Sequence, residues 1–391
     1  MIQKLEISQQ LRDALQAETR SAQHATREIR IRSTWPGIQL YYPPIKYLPR
    51  DNSYETEAEA KERLLKYARQ SEAHTLIFDL EDGCRQKSLS RQFLAASLPG
   101  SRSAIPGRVA VRINPVTSPE HALDLALLNE IAPFVDDVML AKAGEQHGIA
   151  ELDTLGNFLD SLSPAMLIQP IIEHPKSLKI ADQIFGHRKV EHVVFGIHDF
   201  SRALQLMITA ENWQDELYPF MCTLMVEARL AGKGIIGGVE TLLLSSDPPD
   251  VALIPEWLNR HAEANAAVIC NHARREASLG FTGKQVIHPN HIRLLRYGFS
   301  PGNEDLHRSL RILEEAIRAN AFLGGAIRFE DEMMDPPMFA KALQLLMRSV
   351  MLGNQDAGVI EVVTGLIASL PPEKFPEIWP YPGWPPTAAA E

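Results

Sequence analysis

Eight short apolar runs, rich in β-branched residues and separated by stretches of helical periodicity, restrict the folds open to this sequence more than anything else in it. The runs are IQLYY (38–42), TLIFDLED (75–82), RVAVRIN (108–114) and DDVMLAK (136–142), then MLIQPIIE (166–173), EHVVFGIHD (191–199), GIIGGVETL (234–242) and KQVIHP (284–289). Helical patterns such as AEAKERLLKYARQ (58–70), SLKIADQIF (177–185) and IPEWLNRHAEANAAVICNHARREASLG (254–280) fall between them. Strands apolar on both faces, each followed by a helix, belong in a parallel sheet covered on both sides. Eight such repeats in about 260 residues fit a closed TIM (β/α)8 barrel better than an open doubly wound sheet. The expected class is therefore α/β.

The barrel is expected over 36–300. Before it, residues 1–35 are polar, with Ile7, Leu11 and Leu15 at helical spacing, and predict a helical extension. After it, 301–354 reads as a helical appendage or lid, with a helix over about 303–323 and a loop leading to Pro336-Pro337 and a second helix. Residues 355–391, ending in SLPPEKFPEIWPYPGWPPTAAAE, read as an extended proline-rich tail.

Charge and cysteine content exclude several functions. There are 39 Lys+Arg against 49 Asp+Glu, a net charge of −10, which disfavours nucleic acid as a partner. No run of about 18 apolar residues is present to span a membrane, and the first residues lack the apolar core of a secretory signal. Three scattered cysteines, Cys84, Cys222 and Cys270, suit a reducing, cytoplasmic setting. GIIGGVE is not a dinucleotide fingerprint, and the Gly-Lys pairs at 232–233 and 283–284 lack a phosphate loop's spacing.

Chemistry in such a barrel collects at the C-terminal ends of the strands. Polar residues stand there at the ends of otherwise apolar runs: Asp79, Glu81 and Asp82 in FDLEDG, Arg112 in VRIN, Glu173 in PIIEH and Asp199 in GIHDF. Carboxylates gathered at one mouth repel one another unless a cation neutralises them. Mg²⁺ suits the set, because it takes oxygen ligands, often only one or two carboxylates, and keeps positions for water and substrate. Blander roles compete at each position. A glutamate at a strand end serves as a helix cap, and a lone arginine serves as a buried ion-pair partner. Asp79 and Glu81 share a strand face, so either can simply orient Arg112.

Taken in order, FDLEDG with Lys87 and Arg91, VRIN, PIIEHPKSL, VVFGIHDFS and GFTGKQVIHPNHI resemble the HpcH/HpaI aldolase and citrate lyase β-subunit family. GGAIRFEDEMMDPPMFAKAL resembles the citrate-lyase-β-like branch of malyl-CoA and citramalyl-CoA lyases. The resemblance implies a Mg²⁺-dependent (or Mn²⁺-dependent) carbon–carbon lyase acting beside a CoA or acyl-carrier-protein thioester. It implies Glu173 and Asp199 as metal ligands, Arg112 as the oxo-acid and thioester clamp, and Asp79 and Glu81 as its orienting partners. Asp335 becomes an acid/base donated by a neighbouring subunit, which calls for a homo-oligomer of three chains. Without that resemblance, Asp335 before two prolines reads as a helix N-cap. Lys46, Arg50, Lys87 and Arg91 flank the first two strand ends and are candidates for the CoA phosphates.

The sequence departs from the family at Glu173-His174-Pro175, in the lack of a glycine soon after Asp199, and in LAKAGE at the end of the fourth run. Two other readings stand beside the lyase: a metal-dependent, pyruvate-releasing aldolase without CoA, and a non-catalytic barrel that binds a metabolite.

Overall fold

The computed structural model describes residues 37–70, 72–260, 264–322, 324–352 and 357–368. The helical extension expected over 1–35 and the proline-rich stretch from 369 onward lie outside the described residues. The chain forms two compact units: residues 37–249 with 257–295, and residues 250–256 with those from 296 onward. The division at 295/296 falls a few residues before the expected boundary at 300.

The first unit is a closed barrel of eight parallel strands. They are β1 (Ile38–Tyr42), β2 (Thr75–Asp79), β3 (Arg108–Ile113), β4 (Asp137–Leu140), β5 (Leu167–Ile172), β6 (His192–Phe195), β7 (Gly234–Glu240) and β8 (Gly283–Val286). Each pairs with its sequence neighbours, and β1 closes the ring by pairing with both β2 and β8. Seven strands lie within the runs that predicted them, and β8 begins one residue before its run, at Gly283. The helical side also holds, with two breaks. SLKIADQIF lies across two short helices, Pro175–Leu178 and Ala181–Gly186, and the long pattern from 254 divides into Ile254–Arg260 and Ala264–Leu279.

Inside the barrel, Ile77, Ala110, Met139, Ile171, Val194 and Ile236 form one apolar cluster. Three buried glutamines share this interior and satisfy one another: Gln39 donates to Gln169 at 2.8 Å, and Gln285 donates to Gln39 at 3.0 Å. Buried amides without such partners would each cost about 1–3 kcal/mol. The barrel is thus a filled core, and any site must open at its rim.

Two elements contradict the sequence reading. The run EHVVFGIHD does not continue as a strand to Asp199. β6 ends at Phe195, and Asp199 lies in the first turn of the helix Ile197–Leu204. Gly196 makes the turn possible, because a Cβ there would come within 2.6 Å of the Glu173 Cβ. A carboxylate in a first helical turn also meets the positive end of the helix dipole. The expected tail from 355 is likewise wrong at its start, since Ala357–Ala368 is a helix. AGVIEVVTGLIA has no proline to break it.

The second unit packs Asn303–Arg318, Pro336–Met351 and Ala357–Ala368 around a core that includes Leu310, Leu313, Phe339, Leu343, Leu346 and Leu366. The stretch expected as a plain loop contains a small antiparallel hairpin, Ile327–Phe329 with Glu332–Met334. Among the described residues, no helix is long and apolar enough to cross a membrane.

Candidate active site

The ends of β2 and β3 pair in register, Asp79 beside Arg112, so these opposite charges are cross-strand neighbours. Asp79 grips the guanidinium with both oxygens, at 2.6 Å from Nε and 2.7 Å from Nη2. The same oxygens accept the Glu81 and Gly83 N–H groups, at 2.9 and 3.0 Å. Gly83 is required at this approach, since a Cβ there would sit 2.3 Å from Asp79 Oδ2. Glu81 places one oxygen 3.3 Å from Arg112 Nη1, and the Tyr41 ring lies under the guanidinium at 4.7 Å. Burial opposes the charge on Arg112, but Tyr41, Asp79 and Glu81 outweigh it and hold the proton firmly. The guanidinium has five N–H donors, and these contacts leave some free to meet an anion.

Glu173 follows directly on β5 and is only 7% exposed. Its Oε1 accepts the Lys142 main-chain N–H at 2.6 Å. Lys142 adopts a left-handed backbone at φ 52°, at a cost on the order of 1 kcal/mol for a non-glycine residue. Its ammonium reaches the other way, 2.6 Å from Glu81 Oε1. Burial, with Asp199 and Glu81 adding negative charge, pushes the Glu173 carboxyl up to about 7, against the pull of the Lys142 N–H and ammonium. Asp199 meets Arg202 on its exposed side at 2.5 Å.

Asp79, Arg112, Glu173 and Asp199 all line one cavity of about 280 Å³, which Tyr41, Ile171, His198, Val239 and Gln285 complete. Charge is unevenly matched across it. Asp79 and Glu81 are ion-paired to the half-buried Arg112 and Lys142, whereas Asp199 pairs with the exposed Arg202 and, among the described residues, Glu173 meets Lys142 through its main-chain N–H. Two carboxylates beside open space for water and substrate fit a Mg²⁺ ion. Among the described residues, no group of three His, Cys, Asp or Glu is arranged to hold a metal ion.

The four cations proposed for CoA divide. Lys46 and Arg50 are exposed beside the hairpin Tyr47–Leu48 with Ser53–Tyr54. Lys87 is a correction, because its ammonium is held by the Leu80 and Glu81 carbonyls and Asn114 Oδ1 at 2.7–2.9 Å. Arg91 is a second correction, ion-paired to Glu120 at 2.5 Å and to Asp124 at 2.8 Å. Both side chains tie neighbouring β/α units together, with the three N–H donors of Lys87 occupied and the charge of Arg91 met by carboxylates. His174 caps its short helix by accepting the Lys176 N–H, at 3.1 Å.

Asp335 is exposed at the N-cap of Pro336–Met351. Its carbonyl accepts from Met338 and Phe339 at 3.0 and 3.1 Å, but its carboxylate makes no capping bond. The residues that sequence reasoning missed are Lys142 and Tyr41. Lys142 stood in LAKAGE, noted as a departure without its lysine being singled out, and Tyr41 stood one residue before the end of the first run.

A closed (β/α)8 barrel with a carboxylate pair and a clamped arginine at its mouth has the build of a barrel enzyme for small anionic substrates. Residues 58–245 match the HpcH/HpaI aldolase/citrate lyase family. That match lies within the barrel, and the protein is an enzyme of the carbon–carbon lyase class. Among its relatives is the citrate lyase subunit beta of Haemophilus influenzae, 27% identical over 286 residues, covering 70% of this chain and 88% of that protein. The mitochondrial citramalyl-CoA lyase of Rattus norvegicus is 25% identical over 290 residues, covering 69% and 77%. The fold matches protein CitE from Mycobacterium tuberculosis, solved with magnesium, acetoacetate and coenzyme A (TM-score 0.59, 22% identity, 81% of this chain and 98% of that one). It also matches a citrate lyase from Burkholderia xenovorans LB400 (TM-score 0.64, 18% identity, 85% and 96%).

Proposed function

We propose that the protein is a Mg²⁺-dependent lyase that cleaves or forms the bond between the second and third carbons of a 3-hydroxyacyl thioester of the malyl, citramalyl or citryl type. The products of cleavage are an acetyl thioester and an oxo acid. The observation that carries this reading is the carboxylate pair Glu173 and Asp199 sharing one cavity with the Arg112 fork. Glu173 and Asp199 would hold the ion, and bound there it supplies Lewis acidity toward the oxygens of the oxo acid. A cavity of about 280 Å³ suits the acyl end of such a substrate, with the carrier left outside.

In cleavage, the electron pair of the breaking bond moves onto the thioester as its enolate. The hydroxyl carbon becomes the carbonyl of the oxo acid, its hydroxyl proton passing to solvent, which in turn resupplies the proton taken up at the acetyl carbon. Arg112, held flat by Asp79 and Glu81, offers fixed donors to the substrate carboxylate and to the negative charge that develops. Asp335 is proposed to protonate the acetyl carbon from a neighbouring copy, within a homotrimer. Its free, exposed carboxylate supports that role. Lys46 and Arg50 remain the candidates for the carrier phosphates, and the three free cysteines accord with a cytoplasmic location.

The pyruvate-releasing aldolase without CoA stays as the second reading, because the donors of Lys87 and the charge of Arg91 are already engaged within the barrel. One panel separates them: purified protein with Mg²⁺ and malyl-, citramalyl- or citryl-CoA, or a free hydroxy-oxo acid, read by mass spectrometry. Turnover of a thioester supports the proposal, and turnover of the free acid alone favours the aldolase. No turnover of either sinks both and leaves the metabolite-binding barrel. Mixing Asp335→Ala with Glu173→Ala subunits, with exchange confirmed by labelling, tests the shared site. Recovery of activity is expected, and none would defeat it.

A further inference from the structure

Lys142 touches both halves of the mouth with different parts of itself. Its main-chain N–H is 2.6 Å from Glu173 Oε1, on the carboxylate-pair side, and its ammonium is 2.6 Å from Glu81 Oε1, on the arginine side. Glu81 in turn lies 3.3 Å from Arg112 Nη1, while Asp79 holds the same guanidinium through two shorter bonds. The two contacts of Lys142 depend on one backbone conformation, the left-handed one at φ 52°. Glycine would enter that conformation more readily, but it would carry no ammonium. A lysine in this position is explained by the need for both contacts at once.

We infer that Lys142 is a positioning residue, setting the carboxylate pair in register with the Arg112 fork. This inference deepens the lyase reading and rests on it for its catalytic arm. The physical reason lies in competition for one guanidinium. Glu81 is buried, at 4% exposure, with Lys142 and Arg112 as its cationic neighbours. With the ammonium present, Glu81 is neutralised and Arg112 remains on Asp79. Without it, Glu81 keeps a single cationic partner, draws the fork toward itself and misaligns the donors aimed at the substrate. Displacements of about 1 Å at such a fork are enough to cost roughly 100-fold in rate.

The test compares wild type, Lys142→Met and Lys142→Arg in four measurements. They are Mn²⁺ affinity by calorimetry, pyruvate binding to the Mn²⁺-loaded protein, kcat and KM on the thioester found active, and the crystal structure of Lys142→Met. The methionine variant should bind Mn²⁺ within about threefold of wild type, because its N–H still meets Glu173. Its kcat should fall about 10–100-fold, as is usual when a group supporting a site is lost. Pyruvate should bind about tenfold more weakly, and the structure should show the Arg112 fork drawn off Asp79. Lys142→Arg should restore kcat to within about fivefold, since it returns the charge. Wild-type kcat and pyruvate affinity in Lys142→Met would overturn the inference. So would joint loss of Mn²⁺ binding and melting temperature, which marks a merely structural residue. If wild type turns over no thioester, the lyase reading fails separately. Pyruvate binding and the position of Arg112 then still decide for or against Lys142.

Discussion

Glu173 and Glu240 occupy equivalent places, each at the C-terminal end of an apolar barrel strand and each almost fully buried, at 7% and 3% exposure. Their chemical states are opposite. Burial would raise Glu240, but the hydrogen bond from His272 and the charges of Lys284 and His272 hold its carboxyl down at about 2. Glu173, lacking a fixed cation of that kind, is pushed up to about 7. Glu240 belongs to a sealed cluster behind β7 and β8. There His272 Nδ1 lies 3.0 Å from Glu240, Lys284 lies 3.2 Å from Glu276, and the Lys284 ammonium also faces the Trp213 ring at 4.8 Å. A glutamate at a strand end therefore says little about function. The counter-charge decides, and an undersupplied carboxylate facing open space is the one prepared for a ligand.

The largest expected effect tests that contrast directly. Glu173→Ala should abolish Mg²⁺ binding and lower turnover about 1,000-fold or more while the melting temperature changes little, as befits a metal ligand. Glu240→Ala should leave Mg²⁺ affinity intact and lower stability instead. Calorimetry and thermal melts on the two variants check both halves. Equal effects on metal binding would erase the distinction.

Next comes the sealed cluster by itself. Lys284→Met should cost about 3 kcal/mol, because it strands Glu276 at 0% exposure without its cation. The double variant Lys284→Met/Glu276→Leu should regain most of that, since an apolar pair replaces a buried ion pair at little cost. Denaturant titration measures each. A double variant no better than the single one would show that the cluster does more than fill space.

A smaller loss is expected at the mouth. Arg112→Lys keeps the charge but not the fork, and turnover should fall about 100-fold with little change in stability. Near-normal kinetics with a much lower melting temperature would move Arg112 into the structural class with Lys284.

The smallest effect is a pair of opposite pH slopes in metal-free protein. The raised Glu173 carboxyl contributes stability below about 4.5 that is lost as the pH rises through about 7. Glu240 is depressed, so its contribution is present above about 4.5 and lost as the pH falls through about 2. Unfolding free energies at pH 5 and pH 8 should therefore differ by on the order of 2 kcal/mol through Glu173. Glu173→Gln or added Mg²⁺ should flatten that difference. A slope unchanged in Glu173→Gln would assign it elsewhere.

The barrel was legible because its signal is local. β-branched apolar runs with helices between them dictate buried parallel strands wherever they occur, and all eight runs became strands. Asp79, Glu81, Arg112 and Glu173 were legible for a related reason, since the end of a run marks the rim of the barrel. Asp199 was found with the wrong local structure. The turn at Gly196 is set by the approach of Glu173, 23 residues earlier in the chain, which no pattern within the sixth run records.

What the sequence by itself determined is the periodic part: eight strands, their order, and the polar residues at their ends. Alternation along a strand and the apolar length of a run depend only on neighbouring residues. Only the tertiary structure decided which charges are matched. Lys87 and Arg91 are occupied because Asn114 and Asp124 come beside them from the next β/α unit. Lys142 reaches Glu81 and Glu173 across 61 and 31 residues of chain, from a left-handed turn that its side chain does not announce. Charge compensation acts through distance in space, so the roles of Glu173 and Glu240 diverge only once the barrel closes.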